Sequence, residues 1–410
     1  MRLLRVGICC LLGFAVLAFG ATEEWSQAVL EVAAAFLLVF WAVEQYRHRA
    51  EQLVLPPEFL PLVAFALVAL VQLAFGLTAS RYYTRVDLQL LTVYLVVMFL
   101  IAQSFYRRAH WRGLVWFLLS LGFSVSILGI LQSLTFNGKL YWFRVLHSGA
   151  RPFGPYANRN HFAGFAEMII PIALVPLVLG RVRRERLFLV SIFAIVPIIA
   201  LVLSASRGGI VSCIVQMVML FLLLVVRRVP AKYAMVGGAV ALVAVLAVSW
   251  IGVQQVITRF GILNVEVSEG KRTAMQKDTF RLFLDHPILG TGLGTLQMVY
   301  PPYDSLYDGK IVNHAHNDYL EALAETGVLG GLCCLWFLVV LLGSGLRGMA
   351  TLGSSFASAL NLSGLLACCG ILVHSLVDFN LHIPANALLF FVSAHMAAVR
   401  FPAEPPAEER

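Results

Sequence analysis

The sequence predicts an all-α polytopic membrane protein, and three observations carry that prediction. Of 410 residues, 60% are hydrophobic and only 13% charged, with a mean hydropathy of +0.84, a composition outside the range of soluble globular domains. Apolar stretches of about 17–23 residues recur, each long enough at ~1.5 Å per residue to cross a hydrocarbon core of ~30 Å. Most connections between them are short and rich in arginine.

In chain order the sequence reads as about twelve spans: 5–21, 28–43, 58–78, 88–105, 114–134, 161–180, 187–205, 210–226, 233–252, 318–346, 357–376 and 383–399. The first follows Met-Arg-Leu-Leu-Arg and ends near Ala18 and Gly20. That pattern also suits a cleaved signal peptide, but a membrane anchor is the simpler reading beside so many other spans. Lys and Arg in short loops favour the cytoplasm. A cytoplasmic N-terminus puts Arg47, Arg49, Arg107, Arg108, Arg112, Arg181, Arg183, Arg184, Arg186, Arg227, Arg228, Lys232 and Arg347 inside, with both termini.

A second set of basic residues then falls on the outer face: near Arg81 and Arg85, between Lys139 and Arg159, at Arg207, and from Arg259 to Lys310. Positive charge where the insertion rule disfavours it suggests an anionic ligand, and nothing points to nucleic acid. The chain reads as one membrane domain, 1–410, whose longest connection, 253–317, is an outer loop between the ninth and tenth spans. Within it KRTAMQKDTFRLFLDHP predicts an amphipathic helix capped near Ser268 and stopped before Pro287. Gly290, Gly292 and Gly294 in ILGTGLGTL imitate a nucleotide loop, yet no strand or βαβ unit surrounds them, so they predict a turn. All seven cysteines fall inside predicted spans without metal-ligand spacing, as small packing residues.

The polar chemistry concentrates in HAHNDYLEALAETGVLGG, residues 314–331. On an uninterrupted helix Gly327, Gly330 and Gly331 lie beneath His316 on one face, opposite Asp318, Glu321 and Glu325, which predicts a groove for a lipid chain or another helix. Asp318 and Glu321 also read as a capping box, which sets His316 just before the helix. Asp318 or Asp378 is available to orient His316 or to bind a polar ligand. Glu167, costly in lipid, predicts an interior position and a pairing with arginine.

Three further stretches, RPFGPYANRNHFAGF (151–165), SASRGG (204–209) and HSLVDFNLHIPAN (374–386), put polar groups at outer helix ends. With His316–Asn317, nine residues, then Gly327 and Gly330, the chain resembles the bacterial O-antigen ligase and O-antigen polymerase superfamily of membrane glycosyltransferases, with a GT-C-like fold. The likeness covers roughly residues 150 to 331. It implies transfer of an oligosaccharide from undecaprenyl pyrophosphate to an acceptor hydroxyl on the periplasmic face of the inner membrane, with no cofactor and no metal. By this resemblance His316 stands where the catalytic base stands, and Arg207 and Arg272 where two arginines hold the donor pyrophosphate. Asn158, Arg159, Asn160, His161, His314, Asn317 and Tyr319 are further substrate-contact candidates. The implied partners are the lipid-linked glycan donor, a glycan or lipid A core acceptor, and membrane lipid.

The residues suit that chemistry. Two guanidiniums neutralise a pyrophosphate leaving group without a metal, and a neutral imidazole suits removal of the acceptor proton. A single base without a carboxylate nucleophile implies inversion at the anomeric carbon. Arg159 and His161 depart from the simpler asparagine pattern of many ligases and tilt the reading toward a polymerase. The alternatives are a protein O-oligosaccharyltransferase and, from another class, a lipid-linked glycan transporter, against which stand the one-sided polar residues and the lack of matched halves.

Overall fold

The structure is a computed structural model that describes residues 1–48, 53–146, 151–226, 265–350 and 356–401, with scattered helical positions between 235 and 246. The stretch read as the ninth span lies mostly outside the described residues, as do 253–264 of the long loop. The described chain is helical throughout, with one small hairpin, Lys139–Leu140 against Arg144–Val145.

Eight helices are long and apolar enough to cross a membrane by length and composition: α2 (Glu24–His48), α4 (Arg81–Ser104), α5 (Arg108–Leu134), α6 (Arg159–Val178), α7 (Arg184–Ser204), α8 (Arg207–Val226), α11 (Asp318–Ala350) and α12 (Phe356–His374). Two shorter apolar helices, α3 (Phe59–Ala74) and α13 (Pro384–Ala398), and the N-terminal helix α1 (Arg2–Leu17) join them. Between α8 and α11 lie α9 (Val265–Asp285) and the single turn α10 (Leu296–Val299).

The bundle is built around α6, in which every residue from His161 to Val178 except Pro176 is buried. Its prolines shape the packing. Pro171 has no N–H to offer the Glu167 carbonyl one turn back, and Gln216 of α8 fills the gap, its Nε2 donating to Glu167 O at 3.0 Å and to Leu366 O of α12 at 2.8 Å. Gly370 leaves room for that amide, since a Cβ there lands within 2.1 Å of Gln216 Nε2. Asn361 makes a comparable tie from α12 to Met396 O and Val399 O at the end of α13. In a bundle without water, such side-chain bonds replace lost backbone bonds.

The amphipathic helix α9 forms, but begins at Val265, so Ser268 lies within it; it stops at Asp285 ahead of Pro287. Leu282, Leu296, Tyr300, Val312 and Ala315 bury against Ala324 of α11 in a second, smaller core. The ILGTGLGTL stretch is the turn the sequence predicts, and its partner is a break in α11. Gly327 leaves helical geometry at φ 64°, ψ −165°, and the two irregular segments bond to each other: Thr291 N to Ala324 O, Gly292 N to Glu325 O, and Val328 N to Pro287 O. A Cβ at Gly327 lies 2.2 Å from Ile288 O, and one at Gly290 lies 2.3 Å from the Glu325 carbonyl carbon.

That contact corrects the groove expectation. Gly327 and Gly330 do not line a stripe beneath His316, because Gly327 docks the 287–289 turn and Gly330 packs on Thr326. The capping box is also corrected: Asn317 caps α11, its Oδ1 accepting from Tyr319 N at 3.1 Å and Leu320 N at 3.0 Å, while Asp318 turns to other partners. The seven cysteines are all free thiols.

Candidate active site

One end of the bundle opens as a cavity of about 2070 Å³. Its rim draws on the starts of α6, α8 and α11, the middle of α9 and the segment from α12 to α13, the stretches where the sequence concentrates polar residues. Deeper walls are apolar, with Leu90, Leu91 and Tyr94 of α4, Phe337 and Leu338 of α11, and Phe391 of α13.

Asp378, 1% exposed, is the hub of the rim. Its Oδ1 lies 3.2 Å from His316 Nδ1 and accepts from Phe379 N at 3.0 Å. Its Oδ2 accepts from Asn160 Nδ2 and sits 3.8 Å from Arg272 Nη2. Burial opposes the charge on this carboxyl, but the hydrogen bond from His316 and the surrounding imidazoles outweigh it and hold Asp378 well below the ordinary carboxylate range. An ionised partner at Nδ1 favours the proton on that nitrogen and leaves Nε2 with its lone pair. The backbone of His316 is in the left-handed region, at φ 52°, which sets the ring apart from the helix that follows. Gln276 of α9 steadies the turn by donating to His316 O at 3.2 Å.

The sequence-predicted residues distribute unevenly. Arg272, His316 and Asn160 converge on Asp378, and Arg272 Nη1 also donates to Val377 O at 3.3 Å. Arg207 starts α8 on the wall of the same cavity, and its neighbour Gly208 packs against Val377 and His374. Asn158 caps α6, accepting from Asn160 N at 2.9 Å; Arg159 lines the cavity beside it. His161 is buried edge-on to Phe379 at 4.9 Å between ring centroids. Asn317 Nδ2 donates to Leu376 O at 3.1 Å, and Tyr319, which lines the cavity, donates through Oη to Leu372 O at 2.6 Å.

His314 stacks on Phe379 at 4.2 Å and pairs through Nδ1 with Glu321 Oε1 at 2.7 Å. Glu321 in turn stands 3.3 Å from His382 Nε2, whose other nitrogen bonds Asp318 Oδ1 at 2.7 Å. Burial disfavours charge on His382, but these two carboxylates prevail and raise its pKa well above the usual imidazole value. Among the described residues, His314, Glu321 and His382 are the group whose ligand atoms, all within 4.8 Å of one another, have the composition of a cation site. A doubly protonated His382 would bond a carboxylate at each nitrogen.

Glu167 is buried as expected, but its partner is not an arginine: His374 Nδ1 lies 3.2 Å from Glu167 Oε1. Sequence reasoning also passed over His382, Phe379 and His374, although all three stand in the HSLVDFNLHIPAN stretch. A run of His, Asp and Asn between two apolar spans was the available signal.

Residues 189–335, from α7 into α11, match the family model described as O-antigen ligase. No curated protein matches the chain. The matched segment contains Arg207, Arg272 and His316, whereas Asn160 and Asp378 lie on either side of it. The match spans residues 189–335 of the 410-residue chain and supports a likeness to the O-antigen ligase and polymerase superfamily, of multi-pass membrane proteins of glycosyltransferase type.

Proposed function

We propose that this protein transfers a glycan from an undecaprenyl-pyrophosphate donor to a saccharide hydroxyl at the periplasmic face of the inner membrane, as a surface-polysaccharide polymerase or an O-antigen ligase. The observation that carries the proposal is the meeting of His316, Arg272 and Asn160 at Asp378, on the polar rim of a cavity whose depth is apolar. A diphosphate headgroup suits the rim and a polyprenyl tail suits the depth.

In this reading His316 Nε2 takes the proton of the acceptor hydroxyl as its oxygen attacks the anomeric carbon. The bond from that carbon to the diphosphate oxygen breaks, and the diphosphate leaves with the electron pair. Arg207 and Arg272 stabilise the developing charge, while Asp378 orients His316 and balances the imidazolium. Attack opposite the leaving group inverts the centre. Arginine-rich short connections favour cytoplasmic termini, which supports a rim on the periplasmic side.

Polymerase and ligase differ only in the acceptor, and the first-loop Arg159 and His161 favour the polymerase. The test is incubation of purified protein with a lipid-linked repeat unit, with and without lipid A core, and separation of products by size. A ladder without core indicates polymerase, and single attachment to core indicates ligase. No transfer in either condition rejects the proposal.

A further inference from the structure

His374 closes α12 at the cavity wall, 1% exposed. Its Nδ1 is held by Glu167, but its Nε2 is buried and has no hydrogen-bond partner. The ring lies against the first turn of α8, where a Cβ on Gly208 falls 2.6 Å from His374 Nε2. One helical turn further along the same face, Ser212 lines the cavity with a second buried, unpartnered polar atom, Oγ. A buried polar atom without a partner costs roughly 1–3 kcal/mol, so two on one wall of a cavity point to a ligand that satisfies both.

The sign of that ligand follows from the surroundings. Arg207 and the N-terminal end of the 20-residue helix α8 supply positive potential there. Glu167, the acidic member of the pair, is behind His374 and does not line the cavity. A proton shared between Glu167 and His374 Nδ1, with another on Nε2, leaves Nε2–H as a donor toward the cavity.

We infer that His374 and Ser212 form, with Arg207, a subsite for the diphosphate group of the donor lipid, in which His374 Nε2–H and the Ser212 hydroxyl donate to phosphate oxygens. The inference rests on the diphosphate-donor reading and extends it to the wall between α8 and α12. It makes His374 a binding residue distinct from the His316–Asp378 pair, and it accounts for Gly208, the position where any side chain displaces the imidazole.

The test is equilibrium binding of farnesyl diphosphate and of farnesol to the full-length protein in detergent. Wild type is expected to prefer the diphosphate. His374→Leu is expected to weaken diphosphate binding roughly 10-fold or more while leaving farnesol unchanged, since hydrogen bonds to charged groups are the strong ones. His374→Gln, whose amide reaches toward the Nε2 position, is expected to recover most of the loss, and Ser212→Ala to lose a few-fold. A Leu variant that binds both lipids like wild type, one that loses both in parallel, or a Gln variant no better than Leu overturns the inference. Should the Leu variant fail to purify as a single species, Gly208→Ala carries the test: selective loss of the diphosphate supports the subsite, and unchanged selectivity overturns it. Failure of wild type itself to prefer the diphosphate rejects instead the donor reading beneath it.

Discussion

Asp378 gathers donors from four places: the imidazole of His316, the amide of Asn160, the guanidinium of Arg272 and its own neighbour's backbone N–H. Replacing it by Asn keeps the volume but confronts Asn160 with a second amide and removes the charge that fixes the His316 tautomer. Asp378→Asn is therefore expected to lower kcat by about 10²–10⁴, the usual worth of a positioned general base, with little change in KM. Steady-state transfer assays check this, and a variant with wild-type turnover removes Asp378 from the mechanism. His316→Ala is expected to abolish transfer at normal abundance. The His382 clamp has a pH signature. Its folded-state pKa is raised, so its contribution to stability is complete below the unfolded value of about 6.5 and is lost as pH rises through the folded value. The difference in Tm between wild type and His382→Gln is expected to shrink from pH 6 toward pH 10; a difference that grows contradicts the clamp.

At the scale of elements, the break in α11 is the feature most exposed to mutation. Gly327→Ala places a side chain at φ 64° and drives its Cβ into the Ile288 carbonyl, so a loss of roughly 1–3 kcal/mol or more is expected from the backbone conformation alone. Gly331→Ala meets only the tip of Leu323 and is expected to be much milder. Thermal melting of the two variants side by side checks the assignment, and equal behaviour argues against the docked turn. The helix-face arithmetic that grouped Gly327, Gly330 and Gly331 assumed an unbroken helix; a break stabilised by a turn some forty residues earlier leaves no local trace. The turn itself was legible from its glycines, because their backbone freedom is a local property. Ser268 was misjudged as a cap for the converse reason: the helix simply continues upstream of it.

Across the described molecule, the arginine-bearing connections from α4 to α5 and from α6 to α7 fall at the opposite end of the bundle from the cavity rim. Single cysteines on a cysteine-free background are expected to report this: Val145→Cys near the rim labelled by an impermeant maleimide added to intact spheroplasts, and Arg183→Cys labelled only in inverted vesicles. The reverse pattern overturns the placement of the rim outside. At this scale, too, the sequence was informative. Composition and spacing alone determined an all-helical membrane protein with its polar chemistry at one set of helix ends, because the bilayer imposes length and hydrophobicity on each span separately. His316, Arg207 and Arg272 were singled out by the family resemblance, which short local stretches of sequence carry. Only the tertiary structure decided that Asp378 meets His316, that Glu167 pairs with His374, and that Asn317 and Tyr319 bond to carbonyls at the end of α12. Those assignments depend on contacts across 62, 207 and 53–59 residues of chain, and such pairings are selected by how whole helices pack, which no single segment encodes.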